Sequence, residues 1–239
     1  MNKNVIVMRI SIIIILLFSS IQLVQAQSSK GFRLNFESMF NEQHLTLNDS
    51  FYSINNGKNT VQITKLKFYI SSIQFYNNDK LVYVEKNSYH LIDASNSKTL
   101  HININKPSTT KFNAIKFSLG IDSATNTKGA LGGELDPTKG MYWAWHSGYI
   151  NFKLEGISNL CNTRNNAFEF HLGGFAAPHN SLQTIKLTLP NSTIATVLVD
   201  INKFLSQINL ATTNAIMTPS KEANELSKQA TKIFSVKKQ

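Results

Sequence analysis

Cysteine is almost missing from this sequence: Cys161 stands alone among 239 residues, so no disulfide can close within the chain. It reads first as a buried small residue, then as a soft ligand, and last as a reactive thiol. Proline and glycine are also sparse, at 5 and 11 residues, and no Pro-rich or Gly/Ser-rich linker divides the chain. Acidic residues number 14 against 24 Lys and Arg. That positive excess is scattered, with short clusters only in KLK (65–67) and the terminal VKKQ. Nucleic-acid binding would want a basic stripe with interleaved aromatics, so no nucleic-acid partner is expected. Standard catalytic signatures are absent too. There is no G-x-S-x-G, no H-E-x-x-H and no Walker loop, and Asp122, Glu134 and Asp136 lack the spacing of an EF-hand.

The one long apolar run stands at the start. Lys3 and Arg9 precede IIIILLF, and the segment closes on Val24-Gln25-Ala26, which is the pattern of a secretory signal peptide over residues 1–26. The run is too short to span a bilayer, no second one follows, and no Cys sits at the cut to carry a lipid. A periplasmic or secreted protein is expected, with one domain over residues 27–239 and no transmembrane segment after cleavage. Losing Lys3 and Arg9 takes the formal charge from +10 to +8.

What the chain has in quantity is alternation. Phe32, Leu34 and Phe36; Leu66, Phe68 and Ile70; Leu100, Ile102 and Ile104; Ile115, Phe117 and Leu119; Ile150, Phe152 and Leu154; and Ile185, Leu187 and Leu189 each recur with period two. These read as half-buried strands separated by Asn, Ser, Gly and Pro clusters, and their spacing predicts an all-β fold, an antiparallel β-sandwich. Residues 122–140 (DSATNTKGALGGELDPTKG) break the pattern, with four of the eleven Gly and one Pro in nineteen positions, and read as a long functional loop. Near the end, Ala223, Leu226, Ala230 and Ile233 fall on one helical face. A C-terminal helix over about 219–235 is expected, with Thr218 as cap and Pro219 in its first turn.

Three stretches could carry chemistry. In FEFHLGG (168–174) the alternation sets His171 with Glu169 and Gly173, away from Phe168, Phe170 and Leu172, beside glycines that leave room for a ligand. In YHLIDA (89–94) His90 lies opposite Tyr89 and Leu91. In WAWH (143–146) a strand would place Trp143 and Trp145, the only two tryptophans, on one face and His146 on the other. Two indoles on one face suit a core or a stacking platform for sugars better than a metal site, because an indole donates its N–H and has no usable nitrogen lone pair.

The order of KLKFYISSIQF, YHLIDA, FSLGID, GMYWAWHSGYINFKLEG and FEFHLGG resembles the MbnP family of exported copper-binding proteins, across roughly residues 32–190. The resemblance rests on W-x-W-x-x-G-Y followed by F-x-x-H-L-G. It implies one copper ion held by histidines and a tryptophan-derived kynurenine, the oxidation being made by a partner di-haem peroxidase-like protein. Trp143 or Trp145 is then the modified residue and His171 a ligand. Opening the indole frees an aromatic amine, and imidazole with few ligands suits copper. Many family members carry Asn-His in the loop after the FSLGID strand, where this sequence has Asn126-Thr127. His90, His146 and His179 are the available replacements, and His90 is favoured because a strand fixes an imidazole better than the Pro178-His179 loop. The copper-binding reading is of a non-enzymatic protein, and the reading from another class is a β-sandwich interaction module without a metal that binds glycan or protein through an aromatic face of Tyr142, Trp143, Trp145 and Tyr149.

N-terminal sequencing of the exported protein should begin at Gln27, and finding Met1 there would overturn the signal-peptide assignment.

Overall fold

The computed structural model describes residues 31–105, 111–145 and 148–238. Residues 1–26, read above as a signal peptide, and His146 lie outside the described residues. In chain order the strands are β1 (Phe32–Phe40), β2 (Gln43–His44), β3 (Tyr52–Ile54), β4 (Asn59–Asn77), β5 (Lys80–Val84), β6 (Tyr89–Asp93), β7 (His101–Ile104), β8 (Ala114–Leu119) and β9 (Tyr142–Trp143). There follow β10 (Gly148–Ser158), β11 (Ala167–Gly173), β12 (Phe175–Ala176), β13 (His179–Asn180), β14 (Gln183–Thr188), β15 (Ile194–Asp200), β16 (Ala215–Ile216) and β17 (Phe234–Val236). Three short helices interrupt them: α1 (Ser123–Asn126), α2 (Ile201–Leu205) and α3 (Lys221–Ala230).

Two sheets face each other. The smaller runs β17-β15-β1-β2 with β7 also on β1, and the larger runs β14-β8-β4-β10-β11-β16 with β3, β5 and β6 also on β4. The period-two residues of both sheets meet between them, where Phe68 of the larger sheet packs edge-on against Phe36 and Phe234 of the smaller. The sandwich read from the alternation is present. Its ladders are antiparallel except for β1 with β15 and β11 with β16, which run parallel. The β1–β15 pair joins strands far apart in sequence, so no tight hairpin forces the antiparallel sense there.

The spine of the larger sheet is the 19-residue β4. One of its edges pairs first with β10 and then with β8, while the other takes β3, β6 and β5 in turn. The gap where β10 hands over to β8 is closed by the side chain of Asn151, itself the extra residue of a bulge in β10. Its Oδ1 accepts from the Ile121 N–H and its Nδ2 donates to Ser181 Oγ, both at 2.9 Å. Turns throughout rely on asparagine. Of the nine described non-glycine residues with positive φ, eight are Asn and the ninth is Ser72, which matches the tolerance of a short polar side chain for the left-handed region.

The C-terminal helix is shorter than the sequence pattern suggested. Ser220, not Thr218, is its N-cap and accepts from the Ala223 N–H at 3.0 Å. After Ala230 the chain tightens into a 3-10 turn and then leaves as β17, because Phe234 is needed in the core against Phe68 and Phe117. Cys161 is a free thiol buried in the main core, and burial pushes its pKa up, which disfavours the reactive thiolate.

Phe68 touches both sheets, so Phe68→Ala should cost about 3–5 kcal/mol in denaturant unfolding, and a loss below about 1 kcal/mol would mean that the inter-sheet core is not organised around it.

Candidate functional site

Strand parity divides the larger sheet into a core face and an outer face. Phe68, Phe152 and Leu172 form one row toward the core, so Lys67, Lys153 and His171, paired across the same three strands, form the next row outward. Most of such an outer face would meet water. At one end, however, it is apolar: Tyr69, Leu91, Ile121, Tyr149 and Ile150 pack there with Leu135, Met141 and Trp143 as a second core. The segment from Asp122 to Trp143 is the cover.

Side chains from the sheet hold that cover by its backbone. The Tyr149 hydroxyl accepts from the Leu131 N–H at 2.9 Å and donates to Leu135 O at 3.0 Å, while Tyr69 donates to Glu134 O. The ammonium of Lys153 donates to Gly140 O at 2.6 Å, and that of Lys67 to Lys139 O at 3.2 Å. Burial holds the Lys153 amine below its ordinary pKa, with the Glu155 carboxylate acting in the opposite direction. Asp122 caps α1 through the Thr125 N–H. Burial would raise the Asp122 carboxyl, but the bonds from Thr125 and from the Tyr89 hydroxyl leave it below its usual range. Asn126 is buried and structural: its Oδ1 accepts from the Tyr149 N–H, and its Nδ2 donates to Ile121 O. Thr127, where many family members carry histidine, is exposed.

The cover delivers Trp143 to β11. The strand β9 ends at Trp143, opposite Gly148 of β10, and a side chain on Gly173 would lie 2.6 Å from the six-membered ring of Trp143. Gly173 is therefore glycine because an indole occupies its side-chain space. His171 is two residues back on the same strand face. The structure thus brings His171 and Trp143 to neighbouring positions of one face. Trp143 is 5% exposed and Trp145 64%. Trp145 lies in the turn after β9, not in the strand expected for it, with its ring centroid 5.8 Å from that of Trp143. The aromatic platform considered for glycan loses Trp143 and Tyr149 to burial, leaving Trp145 and the half-buried Tyr142.

His90 is not brought to this place. It pairs with Ile70, a core-face residue, so it leaves β6 on the side opposite His171, and its Nε2 lies 2.8 Å from Glu85 Oε2. Strand rigidity favours His90 as a ligand, but parity decides the face, and it sets His90 on the side of Ile70. His179 sits on the small β12–β13 ladder beside Ala176. Among the described residues no group of three or more His, Cys, Asp or Glu is gathered as a metal site.

Sequence reasoning missed Glu155. Its Oε1 lies 2.8 Å from His171 Nε2, its Oε2 accepts from Lys65 at 2.7 Å, and Lys153 is 4.0 Å away. The residue pairs with Glu169 across β10 and β11, which makes His171 its diagonal neighbour, within reach of a long side chain. The signal available was the alternation in NFKLEG, which sets Lys153 and Glu155 on the face of His171 once β10 and β11 are paired.

The hydrogen bond to His171 lowers the Glu155 carboxyl from 4.5 to about 2; burial opposes this, and Lys65 adds to it. A carboxyl depressed in the folded state contributes stability above its unfolded pKa, and that contribution fades as the pH falls from 4.5 to about 2. Glu155→Gln should therefore cost roughly 2 kcal/mol near neutral pH, with the gap to wild type closing across that acid window. A gap independent of pH, followed by chemical denaturation, would contradict the depressed pKa.

The comparisons agree with this architecture. A profile of the MbnP family matches residues 29–218. Among solved structures, MbnP from Methylosinus trichosporium superposes with a TM-score of 0.56 at 12% sequence identity, covering 74% of this chain and 77% of that one, which is a likeness of fold. A search of curated proteins finds no match. Among the described residues no helix is long and apolar enough to cross a membrane. With the family profile spanning most of the sequence, the chain belongs to the MbnP family.

Proposed function

We propose that this chain is an exported copper-binding protein, non-enzymatic, that captures or handles the metal as cargo. His171 supplies an imidazole, and Trp143, once oxidised to kynurenine, supplies an aromatic amine. The single observation that carries the reading is the seating of Trp143 over Gly173, next to His171, on a face closed by the Asp122–Trp143 cover. The donor set fits copper under one condition. An unmodified indole offers no lone pair, so the encoded residues contribute one imidazole, and opening the ring adds the second nitrogen. A cuprous ion is satisfied by two or three such ligands, whereas zinc prefers four.

Between the two tryptophans the reading selects Trp143. Trp145 faces solvent in ring contact with it, on the side that an oxidising partner of the di-haem peroxidase-like kind can touch. His90 drops out on parity. His146, three positions beyond Trp143, stays in the set on chain proximity alone.

Peptide mass spectrometry of protein exported by its native host should show a gain of about 4 Da on residue 143, the change from indole to kynurenine. Cuprous affinity, measured by competition with a chelator, should fall about 10-fold or more in His171→Ala, equivalent to about 1.4 kcal/mol. Unchanged affinity would remove His171 from the site. Copper-loaded native protein with both indoles intact would remove the kynurenine.

A further inference from the structure

The geometry points to Glu155 as a positioning residue that fixes His171 as the Nε2–H tautomer, so that Nδ1 is the nitrogen offered to a metal ion on the outer face of the larger sheet. The choice of metal rests on the function proposed above; the tautomer does not.

Glu155 has its Oε1 on His171 Nε2 and its Oε2 on the Lys65 ammonium, with the Lys153 ammonium 4.0 Å from Oε1. A glutamate flanked by two ammonium groups is ionised at neutral pH and can only accept hydrogen bonds. The ring nitrogen facing it must then carry the hydrogen. In a neutral imidazole this leaves the lone pair on the other nitrogen, Nδ1. Because β10 and β11 are rigid ladder partners, the 2.8 Å contact also sets the rotation of the ring. Metal-binding histidines are commonly held in this manner, with a carboxylate on the nitrogen remote from the metal.

The arrangement differs at His90, where a carboxylate also sits 2.8 Å from Nε2. There Glu85 Oε2 additionally accepts from Ser88 Oγ at 2.6 Å, and Ser88 Oγ in turn accepts from the Ile73 N–H. That cluster ties the bulge of β4 to the β5–β6 turn on the face away from Trp143, and it is structural. Only the Glu155–His171 pair adjoins a side-chain space filled by an indole.

Metal-free protein exported by its native host, with 15N-labelled histidine, gives the direct test, since long-range 1H–15N correlations distinguish the two tautomers. His171 should appear with hydrogen on Nε2, and the Nδ1 resonance should be the one that moves when cuprous ion is added. Glu155→Met, which removes the acceptor at similar length, should give a mixture of tautomers and weaken cuprous affinity about 10-fold or more. In Glu155→Gln the single amide oxygen is taken by Lys65, which turns the NH2 toward His171 Nε2, so that variant should shift the ring toward the Nδ1–H form and weaken cuprous binding as well. Lys65→Met, which removes the other partner of Glu155, should leave the tautomer as it is. Hydrogen on Nδ1 in the wild type overturns the proposal even if Glu155→Met fails to fold, and so does a Glu155→Met protein with unchanged tautomer and affinity. A wild type that shows the Nε2–H form yet takes up no cuprous ion would leave Glu155 as the positioning residue and refute the copper reading instead.

Discussion

A sheet that is apolar on both faces has to be covered twice. On one side of the larger sheet Phe68, Phe152 and Leu172 meet the smaller sheet, and on the other Tyr69, Leu91 and Ile150 would be left in water without the chain from Asp122 to Trp143. Eight largely buried apolar residues make that second core, worth on the order of 10 kcal/mol of burial before the entropy of ordering the loop is subtracted. The cover is therefore part of the fold. Its sparse regular structure, one helical turn and two 3-10 turns, is compensated by hydroxyl, ammonium and amide groups rising from the sheet to meet its backbone.

The same requirement makes the site. A cover that ends in a strand paired to β10 must place its last large residue somewhere on β11, and Gly173 is the position without a side chain. Beyond it the outer face turns polar, and the charges there are mutually arranged: Glu155 serves His171 and Lys65, Lys67 pairs with Asp93, and Lys153 is turned toward the cover. His171 stands at the boundary between the two regions. It is buried and is held from behind by a carboxylate. A ring fixed in this way suits the metal-binding role proposed above.

Much of this could be read from the residues. Alternation gave the strands, and within FEFHLGG it gave the direction of His171, because a period of two leaves only two faces to choose from. The adjacent glycines read as room for a ligand, whereas the space at Gly173 is taken by Trp143 and Tyr149 O and that at Gly174 by His179 O. The neighbours of His171 were hidden. Whether His90 or Glu155 stands beside it depends on register between residues 81 and 16 positions away along the chain, and local pattern carries no register. The helix from Lys221 was visible by its period, but its early end was not, since Phe234 is drawn into a sheet whose other strands lie far back in the sequence. Trp145 shows the limit of parity itself: the rule holds while the strand lasts, and β9 stops after two residues.

Lys153 adds a property that neither core explains. Surface pairs such as Lys186 with Asp79, whose carboxylate is 98% exposed, or Lys221 with Glu225, fade as ions accumulate around them. The bond from Lys153 to Gly140 O joins a largely buried charge to an uncharged carbonyl and is screened much less. Three residues further along the chain is Trp143. The seat of the indole is thereby held by a contact that responds less to ionic strength than those surface pairs do.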